Sequence, residues 1–166
     1  EEDVAYRCVN PSCPAQLQRG ILHFASKPAM DIEGLGEAVV SQLVKLKLVS
    51  DISDIYKLNR KELGRLKLFK EKKIDNLLSA IGRSKVCDLS RFIYALGIRH
   101  VGEKAAFVLA REFKSIANLL KARKDRLENI AEIGPVIATS VINYFANNST
   151  RKMIESLKEA GLTFTS

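Results

Sequence analysis

The sequence predicts an all-α fold of four tandem units, each a helix, a tight turn and a second helix, arranged as two pairs. Three observations carry this. A thirteen-residue pattern recurs at 32–44, 66–78, 98–110 and 130–142, with spacings of 34, 32 and 32 residues. After each turn the apolar residues fall at helical spacing. Beyond the first twenty-odd residues no stretch alternates with the period of a strand. A repeat of this length is one supersecondary unit that cannot bury its apolar face alone, so neighbouring units must stack.

The register of the repeat is read directly. The first position is Ile32, Leu66, Ile98 and Ile130, and the fourth is Leu35, Phe69, Val101 and Ile133. The fifth is Gly36, Lys70, Gly102 and Gly134. Val40, Ile74, Ala106 and Ala138 follow at the ninth position, and Leu43, Leu77, Leu109 and Val141 at the twelfth, one apolar stripe on each second helix. Between the blocks, "SDISDIYKL" (50–58) predicts a helix with Ser50 or Ser53 as its N-cap. "LSRFIYALG" (89–97) is amphipathic and stops at Gly97, "SIANLLKA" (115–122) begins with a capping serine, and "STRKMIESLKEAG" (149–161) is capped by serine and closed by Gly161.

Composition narrows the function classes. With 166 residues, 46% hydrophobic and 28% charged, the chain can bury a core and is not a disordered segment. Its apolar runs are far too short to span a membrane. The opening "EEDVAYRC" lacks the apolar stretch of a secretion signal, so a cytoplasmic protein is expected. Three cysteines, an odd number, fit a reducing compartment better than a disulfide framework. The net charge is +8, and residues 45–73 alone hold ten basic and four acidic side chains. Such an excess is either a solvated helical face or the footprint of a polyanion.

The recurrent glycine favours the second reading. A helix start presents unpaired N–H groups and the positive end of the macrodipole. A glycine there lets the main chain approach a ligand closely and accepts positive φ, making a phosphate site indifferent to base sequence. Lys104 after Gly102, with Arg99 and His100 in the turn, adds charge. At the fourth unit Pro135 lacks an N–H, which leaves Gly134 and Val136 as donors. At the second, Lys70 replaces the glycine, so Lys70, Lys72 and Lys73 supply charge instead of close main-chain approach. One such glycine is ordinary turn chemistry; three in one register on a basic chain point to an anion.

The units resemble the helix-hairpin-helix motif of DNA-repair and replication proteins. Beyond the motif, "CVNPSCPAQ" (8–16), "HFASKPAMDIEGLG" (23–36) and "FIYALGIRHVGEKAA" (92–106) resemble segments of bacterial NAD-dependent DNA ligases, in the right order along nearly the whole chain. The resemblance implies that residues 1–25 are the second half of a four-cysteine zinc module, a zinc-ribbon remnant in which Cys8 and Cys13 are ligands. It implies that 26–166 form the helix-hairpin-helix domain, with hairpins near 32–36, 66–70, 98–102 and 130–134. Gly34, Gly36, Gly102 and Gly134 then match the hairpin contacts that grip the minor groove of nicked duplex DNA. The remaining ligase domains would be partners on the same polypeptide, with NAD and Mg²⁺ as cofactors of the parent enzyme and a monomer expected. The other cysteine pair is expected ahead of residue 1, so zinc should bind weakly or not at all and the first twenty residues should be loosely held. Cys87 is read as a buried or idle thiol and His23 as a packing residue.

No catalytic residue is expected in the chain. There is no Lys-x-Asp-Gly segment to accept adenylate. The alternative reading is a stand-alone helix-hairpin-helix DNA-binding module of another repair or recombination protein. A helix-hairpin-helix glycosylase would want an Asp at a hairpin, but Asp31 precedes the first and none follows the third or fourth at a matching place. A basic helical protein scaffold is the reading that involves no nucleic acid.

Overall fold

A computed structural model describes residues 13–165. The first unit pairs α1 (Pro14–Ala25) with α2 (Glu37–Lys45). A 3₁₀ helix (Ile52–Lys57) leads to the second unit, α3 (Arg60–Leu63) and α4 (Glu71–Arg83). After the short strand β1 (Val86–Asp88) come the third unit, α5 (Leu89–Ala95) and α6 (Glu103–Phe113), and the connecting α7 (Ile116–Leu120). The fourth unit is α8 (Lys124–Glu128) and α9 (Gly134–Ala146); α10 (Asn148–Glu159) and β2 (Thr163–Thr165) complete the order. Helical residues dominate, as the repeat requires. Among the described residues no helix is long and apolar enough to cross a membrane.

The two helices of each unit pack on one another, and the repeat positions form the core between them. Val40, Ala106 and Ala138 at the ninth position, and Leu43, Leu77 and Leu109 at the twelfth, have no exposed surface. The fourth-position residues Leu35, Phe69, Val101 and Ile133 are buried beneath each turn. These side chains join one continuous apolar cluster. Helix α10 packs on both α9 and the 3₁₀ helix, and α1 packs on α5, so the two pairs share this core.

The backbone repeats by pairs as well as by units. Asp31 (φ 53°) and Gly97 (φ 71°), just ahead of the first and third turns, are both left-handed. The connectors after the first and third units are both side-chain capped, by Asp51 accepting from the Asp54 amide and by Ser115 accepting from the Asn118 amide. No such correspondence links the first unit to the second.

Three expectations need correction. The first twenty residues are not loosely held from Pro14 on: α1 is the first helix of the first unit, with Ile21 and Phe24 fully buried against the domain core. Its markers are Pro14 in the first turn and Leu17, Ile21 and Phe24 at one-turn intervals. His23 does pack, with its ring 4.7 Å from that of Tyr94 and Nε2 2.7 Å from the Tyr94 carbonyl oxygen. Second, the cap of the 3₁₀ helix is Asp51, in a reciprocal box with Asp54, not Ser50 or Ser53. Ser50 donates to Asp54 and Ser53 to Asp51 instead. Third, α10 is capped by Asn147, whose Oδ1 accepts from the Ser149 and Thr150 amides, so Ser149 lies inside the helix.

A feature the period argument did not foresee is the parallel pairing of β1 with β2, in the register Val86–Thr163, Cys87–Phe164 and Asp88–Thr165. Three residues are too few to show alternation. Phe164 reaches the Phe92 ring, 4.4 Å between centroids, and Leu162 is buried beside it.

Candidate nucleic-acid interface

All four turns have one construction. The third position of the repeat is left-handed in every copy: Gly34 (φ 102°), Leu68 (φ 58°), His100 (φ 69°) and Glu132 (φ 78°). The fourth-position amide donates back to the first-position carbonyl at 3.4 Å in the first hairpin, 3.0 Å in the third and 3.1 Å in the fourth. Positive φ at the third residue of a four-residue turn is the mark of type II geometry.

The fifth position therefore does not use the positive φ expected of it in the first three hairpins. Gly36 (φ −87°, ψ −178°) and Gly102 (φ −90°, ψ −167°) are extended residues at N-caps, and Lys70 (φ −99°, ψ −179°) has the same backbone. Only Gly134 is left-handed, at φ 66°, in a hairpin whose second helix is bounded from that residue, one position earlier than its counterparts. The two glycines of the first hairpin separate cleanly. Gly34 needs its φ, and a Cβ there would stand 3.3 Å from Leu77 Cδ1. At Gly36 and Gly102 a Cβ would meet nothing within 4 Å. Neither backbone strain nor internal packing demands glycine at those two places, and the second hairpin tolerates a lysine.

The helix starts behind these residues keep their amides available. The carbonyls of Gly36, Lys70 and Gly102 accept from the amides of Val40, Ile74 and Ala106 at 2.9, 2.9 and 3.0 Å. No side chain caps α2, α4, α6 or α9. Of the other helices, Asp51, Asn59, Ser115 and Asn147 each cap one, while α1, α5 and α8 also lack a side-chain cap. Gly36 with Glu37 and Ala38, and Gly102 with Glu103 and Lys104, are exposed. Sequence reasoning passed over the glutamates: Glu37, Glu71 and Glu103 each occupy the first helical position, where the macrodipole favours an anion.

Within each pair the turns are brought together. The Lys67 amide donates to Gln42 Oε1 at 2.7 Å, tying the second turn to α2, and Gly34 abuts Leu77 of α4. An open groove between them is lined by Gly36, Phe69, Lys73 and Arg83. In the other pair Lys104 Nζ lies 3.0 Å from Glu132 Oε1, a bridge from the third hairpin to the tip of the fourth. Lys70, Lys72 and Lys73 are exposed at the start of α4. There Arg60 reaches back to pair with Glu71 at 2.6 Å and with Asp75, neutralising carboxylates beside those lysines. Arg99 and His100 are exposed in the third turn, and Val136 is exposed in the first turn of α9 behind Pro135.

The metal and thiol residues lie elsewhere. Cys8 is outside the described residues, and Cys13 is half-buried at the N-cap of α1. Among the described residues no group of three or more His, Cys, Asp or Glu side chains is placed to hold a metal ion. Cys87 is a half-buried thiol that burial, with help from the neighbouring Asp88 carboxylate, pushes up to about 11. A thiol so disposed is a poor nucleophile at neutral pH.

Comparison with known proteins agrees with this architecture. A family model described as a helix-hairpin-helix motif matches residues 91–154, from α5 into α10. The DNA ligase of Pelotomaculum thermopropionicum is 49% identical over 98% of the chain, and that of Geobacter metallireducens 48% over 97%. The DNA ligase of Listeria innocua is 45% identical over 99% of the chain. The chain spans about a quarter of the length of these curated relatives. By the sequence of nearly its whole length and by the hairpins into which that sequence folds, the chain belongs to the bacterial DNA ligase family, as a segment of it.

Proposed function

We propose that this segment binds duplex DNA without regard to base sequence, gripping the backbone along the minor groove. In that role it is the DNA-holding part of an NAD-dependent ligase that seals nicks in replication and repair. The observation that carries the proposal is the pair Gly36 and Gly102. Each stands in a conformation open to any residue, with free space where a side chain would be, directly ahead of uncapped and exposed amides. A glycine the protein does not need for itself is accounted for by a ligand that must come close. Helix-start amides suit phosphate oxygens and carry no base code.

Lys70, Lys72, Lys73, Arg99, His100 and Lys104 add long-range attraction, while Gly134 and Val136 donate from the fourth hairpin. The segment's contribution to sealing is alignment: duplex held on both sides of the break keeps the reacting ends in register. Adenylate from NAD and the assistance of Mg²⁺ belong to chemistry for which this chain carries no residues. Zinc, if held through Cys8 and Cys13, requires further ligands, since structural sites are four-coordinate. The other ligase domains are its partners, and it acts as a monomer in the cytoplasm.

The test is salt dependence on a nicked duplex of arbitrary sequence. With about six phosphates engaged, affinity should fall by about three decades between 50 and 200 mM salt. A flat response would sink the proposal, and so would strong preference for one base sequence.

A further inference from the structure

Leu68 is the anomaly of the hairpin surface. It is 84% exposed and left-handed at φ 58°, a combination that costs a bulky side chain in both solvation and backbone energy. The same position is filled by glycine in the first hairpin, by histidine in the third and by glutamate in the fourth. Any of those would relieve the exposed apolar surface, and glycine would relieve the strain too. Around Leu68 stand Arg65, Lys67, Lys70, Lys72 and Lys73, all exposed. The second hairpin is also the one whose fifth position holds a lysine in place of glycine.

Resting on the DNA-binding reading above, we infer that Leu68 is an apolar wedge. It enters the minor groove against sugar faces and base edges while the surrounding lysines hold the flanking phosphates. Apolar wedges rimmed by basic side chains are a recurrent means of minor-groove binding. Strain retained at a residue 84% exposed, where burial offsets little of it, is explained by a contact outside the protein. The basic rim selects duplex rather than an apolar protein surface as the occupant. The second hairpin thus replaces the main-chain clasp of the first and third with a side-chain one.

A wedge and a phosphate contact differ in how they answer to salt. Burying an apolar side chain releases no counterions, whereas each lost phosphate contact lowers the salt slope by about one. Nicked-duplex affinity is therefore measured across a salt series for the wild-type chain, Leu68→Gly and Leu68→Lys, with melting temperatures alongside. Leu68→Gly should bind about tenfold more weakly at every salt concentration, the worth of one buried leucine, on a line parallel to wild type. Its melting temperature should be no lower, because glycine is at home at that φ. Leu68→Lys should steepen the slope and still fall short of wild type at high salt.

A Leu68→Gly line that superimposes on wild type, or one that differs in slope alone, overturns the wedge. Unchanged duplex binding with a loss only in docking to another ligase domain assigns Leu68 to a protein interface and overturns it equally. A wild-type chain that binds no duplex defeats the DNA reading itself, an outcome distinct from either.

Discussion

At the scale of single residues, two glycines two places apart have opposite reasons to exist. Gly34 is held by the fold, through its positive φ and the proximity of Leu77. Gly34→Ala should cost about 1–2 kcal/mol of stability, against less than about 1 kcal/mol for Gly36→Ala, measured by denaturant unfolding. Gly102 allows a sharper test. Serine is a slightly better N-cap than glycine, so Gly102→Ser should stabilise the chain by a few tenths of a kcal/mol, roughly, by accepting from an amide of α6. The same hydroxyl would occupy a donor that the proposed function leaves to phosphate, so duplex affinity should drop by about tenfold. Opposite signs in melting and binding support the ligand role; a matching loss in both returns Gly102 to turn chemistry.

This division was only half legible in the sequence. The repeat and its fifth-position glycine were plain, because identity at fixed spacing survives without any structure. The left-handed third position was hidden, since Gly, Leu, His and Glu share no chemistry that a string of letters displays. Only a common backbone unites them. The glycine that could be seen was therefore credited with the dihedral angle of its neighbour.

At the scale of elements, helix existence followed from the apolar stripe while helix starts did not. Capping is decided by which side chain folds back on which amide, and neighbouring Ser, Asp and Asn residues compete for that task. Asn147 won at α10. Asn147→Ala should lower stability by about 1 kcal/mol, whereas Ser149→Ala should change it by less than half of that, roughly, as read from paired melting curves. Reversal of that order would restore serine as the cap. Helix α1 was missed for another reason. The spacing of Leu17, Ile21 and Phe24 marks it, but the run is short and follows cysteines that point to a metal module.

At the scale of the whole molecule, the proposed role is that of a clamp on duplex DNA. Among the described residues no group of three or more His, Cys, Asp or Glu side chains is placed to hold a metal ion. Incubated with NAD and Mg²⁺, the isolated chain should take up no labelled adenylate; a covalent adduct would refute its purely gripping role. The family was readable from landmarks spread along the chain, whereas the tilt between pairs was not, because it depends on contacts between residues distant in sequence.

The three-residue ladder of β1 and β2 bears on that tilt. β1 lies in the link between α4 and α5, where one pair hands over to the other, and β2, which follows α10, returns to it. β2 thus acts as a buckle fastened across that link, with Phe164 pressed on Phe92 as its pin. A force applied at β2 is therefore borne by the link between the two pairs of units.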